Sequence, residues 1–294
     1  MKLISKKTLL LFFLPGAIFM GAFLIYPIIT MVADSFFDIG LTGDRTFVGL
    51  DNYIRAFTAG GFLKQLKNTL LYIVIAVGVE TLLGLLFALF FEMDYKGSKI
   101  IRSFMMAPLM IAPLVAGLTW KLMMSSSFGI VNELLARIGI LSSSSDILWL
   151  ADEKWSLIAC CIADIWLTTP FMMLMILAGL QGLDSSMTEA AKIDGASAFG
   201  IYWKIILPNI RPAIGSLGIF TAMMSWNDYL NPLLMLNDKE KMTLPLALVV
   251  FSTEHTQDLT TTMAAATMIM LPMIVIFILF QKQFIRGLAL SGIK

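Results

Sequence analysis

Six stretches of the chain are long and apolar enough to cross the hydrocarbon core of a bilayer, which takes about 20 residues of helix. They fall at about 8–30, 69–92, 104–124, 155–180, 213–235 and 260–281. The pattern predicts an all-α, polytopic membrane protein with a single transmembrane domain over residues 1–294. Pro15, Pro27, Pro108, Pro113, Pro170, Pro232 and Pro272 lie in these stretches. Neighbouring helices of a bundle can satisfy the carbonyls that proline frees, so these prolines need not end a span. Lys2, Lys6 and Lys7 precede the first span, as in a signal peptide. That span is too long for a signal's apolar region and no small-x-small site follows, so a retained anchor is expected.

The intervals between spans are uneven. Residues 31–68, 125–154 and 236–259 are longer than hairpins need, and the last encloses a short apolar run, Leu244–Phe251, that cannot cross and is expected to pack at the bundle mouth. With the N-terminus inside, twelve lysines and arginines flank the inner ends and nine the outer ones, while the acids gather outside. The positive-inside rule then puts both termini in the cytoplasm.

Composition agrees with lipid as the solvent. Of 294 residues 58% are hydrophobic and 14% charged, with mean hydropathy +0.85; soluble domains carry about 25% charged residues. A net charge of +1 offers no basic face for nucleic acid. Cys160 and Cys161 are adjacent in an apolar span and read as small hydrophobes. His255 stands alone and reads as a loop residue. No metal-ligand cluster is expected, and no H-E-x-x-H or G-x-S-x-G sequence offers an enzyme its nucleophile or metal.

The inner segment 181–212 is the most informative. Ser186 and, three residues on, Glu189 read as a capping box that starts a helix, and Gly195 is suited to end it. Phe199, Tyr202, Trp203 and Ile206 form one apolar stripe of a second helix, with Pro208 expected to close it. The aromatic helix would staple a short, small-residue helix to the bundle as a docking knob.

Glu189-Ala190-Ala191, Asp194-Gly195-Ala196, then Ile206-Leu207-Pro208 and Pro212, resemble the EAA loop of bacterial ABC importer permeases. Further segments resemble the carbohydrate-uptake branch of that family, the maltose/oligosaccharide type that depends on a binding protein. They are Leu14-Pro15, Tyr26-Pro27, Phe47–Tyr53, Trp226-Asn227 to Pro232, Thr243–Leu246 and Gln281–Leu288. The resemblance implies a permease in a bacterial cell membrane that works as a heterodimer with a second homologous permease. It implies two cytoplasmic ATPase subunits below, carrying ATP and Mg, and an extracytoplasmic solute-binding protein above. Glu189, Ala190, Ala191, Asp194, Gly195, Ala196, Leu207 and Pro208 would be the ATPase-docking residues. The chain has no G-x-x-x-x-G-K-[ST] phosphate loop, so it binds no nucleotide of its own by that motif and is expected to need no cofactor.

Acids inside a span cost about 2.5–3.5 kcal/mol at the helix centre, so they point to a polar interior. Asp164 and Asp228 have Trp166, Thr168 and Thr169, and Trp226, Asn227 and Asn231, as neighbours in sequence. Carboxylates and amides bond sugar hydroxyls while an aromatic face covers the ring, so these residues are a candidate substrate pathway. The alternative reading is helix-to-helix hydrogen bonding. Glu80, among Gly78, Gly84 and Ala88, reads as a packing residue or an interhelical bond. A secondary transporter is the alternative class; it predicts broken-helix repeats and an ionisable relay, and the scattered acids lack an intramembrane Lys or Arg.

Overall fold

The computed structural model describes residues 5–40, 43–59, 61–93, 95–143, 145–254 and 258–292, so His255 lies outside the described residues. Among the described residues, five helical runs are long and apolar enough to cross a membrane: Lys7–Asp34, Phe62–Glu92, Glu153–Gln181, Phe199–Trp226 and Leu259–Gln281. The chain divides into two compact units, Met1–Leu63 with Leu248–Pro272, and Lys64–Ala247 with Met273–Lys294.

In the first unit, α1 (Lys6–Met20) passes through a π-helical turn (Gly21–Ile25) into α2 (Tyr26–Asp34). The Tyr26 N–H bonds the Gly21 carbonyl, one residue wider than an α-turn. The wide turn stands directly before Pro27, whose ring lacks a donor and would clash with the carbonyl four residues back. A two-stranded antiparallel ribbon follows, β1 (Phe37–Ile39) against β2 (Arg45–Phe47), then α3 (Asp51–Ala59). Gly49 makes the intervening turn with φ +59°, a left-handed conformation that favours glycine. Asn52 is fully buried and donates to the carbonyls of Ser35 (2.9 Å) and Phe37 (2.8 Å). It accepts from Arg55, whose guanidinium also lies 3.5 Å from Asp258. The Phe47–Tyr53 stretch, read in sequence as a family marker, thus fastens the segment beyond α2.

In the second unit, α4 (Phe62–Glu92, from Lys64 onward) is followed by α5 (Ser98–Met105) and α6 (Pro113–Met123). The expected span 104–124 is therefore not one helix. A 3-10 turn (Ala107–Met110) and an extended Ala112 separate α5 from α6. Pro108 and Pro113 cause this, because each removes a donor and Pro113 holds the residue before it out of the helical region. Next come α7 (Ile130–Arg137) and α8 (Glu153–Gln181). α8 is the most buried of the five runs, with 56% of its most apolar window buried.

The described chain continues through α9 (Ser185–Ile193), α10 (Ala198–Ile201), α11 (Leu207–Trp226), α12 (Leu230–Met235), α13 (Leu244–Glu254) and α14 (Leu259–Gly292). The expected span 213–235 breaks at residues 227–229, between α11 and α12. One core cluster gathers Tyr72, Ala76, Cys160, Cys161, Met124 and Met235, and a second gathers Ala88, Phe91, Met173, Ile176, Leu180 and Ile210. The two cysteines are free and buried, as small hydrophobes are. Gly84 lets α4 press on α8: a Cβ there would lie 2.7 Å from Met172 Cβ and 3.1 Å from the Met173 nitrogen.

Polar contacts tie the starts of α4 and α8 to the 236–244 segment. Lys64 pairs with Glu240 (2.6 Å) and Glu153 (2.9 Å). Asn68 donates to the Glu240 and Met242 carbonyls, and the Leu244 N–H donates to Thr69 Oγ1. Leu244 and Leu246 are buried at the start of α13.

Candidate functional site

Two places combine the predicted site residues. The first is the segment from Gly182 to Pro208. The capping box is not formed: Asp184, not Ser186, caps α9, accepting from the Ser186 N–H at 3.0 Å. That bond holds the Asp184 carboxyl below the usual carboxylate range. At the other end Gly195 takes φ +78°, with Gly195 N–H to the Lys192 carbonyl and Ala196 N–H to the Ala191 carbonyl. This is the left-handed glycine stop expected from sequence.

Pro208 does not close the second helix. α10 runs through a π-turn (Tyr202–Ile206) straight into α11, the Leu207 N–H bonding the Tyr202 carbonyl. The same device precedes Pro27, and it absorbs the proline instead of ending the helix. The apolar stripe is also re-aimed. Ile201 and Ile210 are buried, and Ile206 and Leu207 pack on the second core cluster. Phe199 is 74% exposed and Trp203 51%.

Glu189, Ala190, Asp194, Gly195, Ala196 and Pro208 are exposed; Ala191 is half-buried. Beside them Ile193 is 86% exposed and Met187 48%. Sequence reasoning missed these two apolar side chains. The signal was present, since both interrupt a helix otherwise made of small and polar residues. α9 thus presents one carboxylate, small residues and bare apolar surface together, which suits close contact with another protein rather than water.

The second place is a polar cluster inside the bundle. The Tyr72 hydroxyl on α4 lies 2.8 Å from Asp164 Oδ2 on α8 and 2.7 Å from Asp228 Oδ2 in the helix break. Thr168 Oγ1 donates to Asp164 Oδ1 at 3.2 Å, and Ser225 Oγ to Oδ2 at 3.5 Å. Asn231 reaches Asp228 through its backbone N–H (3.4 Å) and its side-chain amide (3.1 Å). Asp164, Asn231, Ser225 and Tyr72 are buried, while Asp228 and Thr168 are half-buried. Of the pathway residues expected from sequence, Asp164, Thr168, Asp228 and Asn231 meet here.

The others do not join this hydrogen-bonded group. Trp166 points elsewhere, 38% exposed and edge-on to Trp120 at 6.0 Å between centroids. Asn227 is exposed and bonds the Met223 carbonyl. Trp226 is buried with its Nε1 unpartnered, as is Thr169 Oγ1. Glu80 makes no interhelical bond: it is fully buried and neither carboxylate oxygen has a partner. Tyr72 was not singled out in sequence, although it joins all three elements of the cluster.

Residues 56–290 match the family described as "binding-protein-dependent transport system inner membrane component". A trehalose/maltose transport system permease of Thermococcus litoralis is 37% identical over 60% of this chain and 59% of its own length. A sulfoquinovosyl glycerol transport system permease of Agrobacterium fabrum is 32% identical over 75% of this chain and 71% of its own. Among solved structures, a chain of a bacterial alginate ABC transporter in complex with its pentasaccharide-bound periplasmic protein superposes with a TM-score of 0.77 at 20% identity. That superposition covers 92% of this chain and 91% of the other, which shows a shared fold. With a family match over most of its length and five apolar helical runs, the chain belongs to the inner-membrane permease family of binding-protein-dependent transport systems, and it is a transport subunit rather than an enzyme.

Proposed function

We propose that this chain is one permease of an ATP-driven importer that carries a sugar or a sugar-like solute into the cytoplasm by alternating access. The observation that carries the reading is the α9 loop. It presents Glu189, Ala190, Asp194, Gly195, Ala196 and Pro208 on an exposed surface, set between Met187, Ile193 and Phe199. A second, homologous permease completes the pathway. Two separate ATPase subunits, which hold ATP and Mg, seat against α9, with Ala191 and Leu207 supporting the seat from the half-buried side. Both chain termini lie with this loop on the cytoplasmic side of a bacterial inner membrane, and the solute-binding protein delivers from the other.

Force on α9 has a stiff route into the membrane. Gly195 sets a fixed turn, and α10, the π-turn and α11 form one continuous helical run from Ala198 to Trp226. That run ends at the break beside Asp228. Closure of the ATPases would move α9 as a rigid body and rock α11 with it, changing which face of the bundle is open. A loaded binding protein favours the outward state through its differential affinity, the only way a ligand shifts such a balance. Asp164, Thr168, Asp228 and Asn231 would face the inner pathway once the 227–229 break moves, where their acceptors suit sugar hydroxyls.

The chemistry of the solute follows the relatives, whose systems are described for trehalose and maltose, for sulfoquinovosyl glycerol and for arabinooligosaccharides. The test is reconstitution of the chain in vesicles with the permease, ATPase and binding protein encoded beside it, followed by uptake of labelled sugars. Uptake that needs ATP on the ATPase side supports the reading. Uptake that persists without the ATPase, driven by an ion gradient, makes the chain a secondary carrier.

A further inference from the structure

The Tyr72 contacts have a consequence for hydrogen counting. Its hydroxyl lies within hydrogen-bond distance of two carboxyl oxygens, Asp164 Oδ2 at 2.8 Å and Asp228 Oδ2 at 2.7 Å. A phenol has one hydrogen to give, and an ionised carboxylate has none. Were both acids anionic, one of these contacts would set an anionic oxygen against a phenol lone pair with nothing between. The second contact therefore requires a hydrogen on a carboxyl group.

The remaining partners indicate which acid carries it. Asp228 accepts from two N–H groups of Asn231, and N–H groups only donate. Asp164 meets the hydroxyls of Thr168 and Ser225, which donate or accept as required. The consistent arrangement has Asp164 donating to the Tyr72 oxygen, and Tyr72 donating to an anionic Asp228.

Glu80 is a second, independent observation on the same face of α4. It follows Tyr72 on the buried face of α4 (Tyr72, Ala76, Glu80, Gly84), about 12 Å further along the helix. α4 and α8 run in the same direction here, since Tyr72 meets Asp164 and Gly84 meets Met172. Glu80 thus stands level with the Thr168–Thr169 step. Both Glu80 oxygens and Thr169 Oγ1 are buried without partners. A carboxylate anion in such surroundings would be an uncompensated buried charge.

The titratable groups around the cluster offer no counter-charge. α4 contributes Tyr72 and Glu80, α8 contributes Asp164 and the thiols Cys160 and Cys161, and the helix break contributes Asp228 and Tyr229. α6, packed on α8 and α12, contributes Lys121, which makes no ion pair or hydrogen bond with these acids among the described residues. No described group of His, Cys, Asp and Glu has the arrangement to hold a metal ion.

We propose that these buried acids form a proton-binding site, with one proton held between Asp164 and Tyr72, where it locks the 227–229 break against α4 and α8, and a second on Glu80. The ligand is the proton itself, and the site stands on this geometry whichever solute is carried. Parting the break from Tyr72 exposes the acids to water and lets the protons leave. The arrangement with Tyr72 bridging is then favoured as pH falls and lost as pH rises. Each proton held in one arrangement and released in the other tilts their ratio by about tenfold per pH unit.

The test is infrared spectroscopy of the full chain, with its partner subunits, in lipid vesicles at neutral pH. The readout is the carbonyl stretch of neutral carboxylic acids in isosteric variants. Glu80→Gln and Asp164→Asn should each remove one neutral-acid band. Tyr72→Phe should shift the Asp164 band, having removed its acceptor. The melting temperature of the wild type should fall between mildly acidic and mildly alkaline pH, with a flatter slope in Glu80→Gln. Absence of neutral-acid bands in the wild type, or bands that survive in both acid variants, overturns the proposal. If Asp164→Asn fails to fold, the Glu80→Gln band and slope decide the outcome.

Discussion

Replacing Gly84 by alanine tests how closely α4 and α8 are pressed together. An added Cβ would lie 2.7 Å from Met172 Cβ, 3.1 Å from the Met173 nitrogen and 3.2 Å from the Met172 carbonyl carbon. Carbon atoms rest at about 3.5–4.0 Å, and two of these neighbours are backbone, which cannot swing aside. The helices must separate by close to an ångström, a disturbance that costs about 1–3 kcal/mol in a well-packed core. Against it stands the gain of alanine over glycine in a helix, about 1 kcal/mol.

Gly78, six residues earlier on α4, has nothing within 4 Å of its own added Cβ. Gly78→Ala carries the same propensity gain without the clash. The difference between the two variants therefore isolates the close approach, at about 1–3 kcal/mol. Both cysteines are buried, so a thiol-reactive dye that labels Cys160 and Cys161 on unfolding reads the melting temperature in detergent. Gly84→Ala should melt below wild type and Gly78→Ala at or above it. If Gly84→Ala melts as high as Gly78→Ala, the helices are not in contact at this level and the register used for Glu80 is wrong.

Two further substitutions separate strong contacts from weak ones. Asn52→Ala removes a fully buried amide that donates to two carbonyls, so it should cost about 1–3 kcal/mol and make the Ser35–Ala59 segment more easily cut by protease. Lys64→Met deletes a partly exposed ammonium between Glu153 and Glu240; despite contacts of 2.6 and 2.9 Å it should leave the melting temperature nearly unchanged, with less difference from wild type at high salt. A marked drop would mean that the pair is shielded from solvent.

Hydrophobic runs made the membrane helices legible because a spanning helix needs apolar length and little else. The runs 69–92, 155–180 and 260–281 each lie inside a helix of the structure. Proline was harder to read, because its effect depends on the backbone before it. Pro108 and Pro113 break a run that looked continuous, whereas Pro27 and Pro208 follow π-turns and break nothing. The α9 loop was legible as a motif. Its exact cap was not, since Asp184 and Ser186 both suit an N-terminus and two residues of register separate them.

The polar cluster was half legible. An acid in an apolar run is conspicuous, so Asp164 and Asp228 stood out. Tyr72 did not, because a tyrosine in a span is unremarkable until its partners 92 and 156 residues away are known. Trp166 has the opposite history: two residues from Asp164 in sequence, it falls on another face of α8, where it meets Trp120. Proximity along a helix is not proximity in space.

The central claim is that α9 couples this permease to a separate ATPase. The direct measurement is co-purification of the chain and its candidate ATPase, comparing wild type with Glu189→Arg, Gly195→Asp and Ile193→Asp. Glu189 and Ile193 are exposed, so their replacement leaves the fold of the chain unstrained, while Gly195→Asp also forces a side chain into φ +78°. The account predicts that the ATPase is lost from all three variants while the two permeases still purify together. Retention of the ATPase by Glu189→Arg and Ile193→Asp, with uptake unchanged, would contradict it.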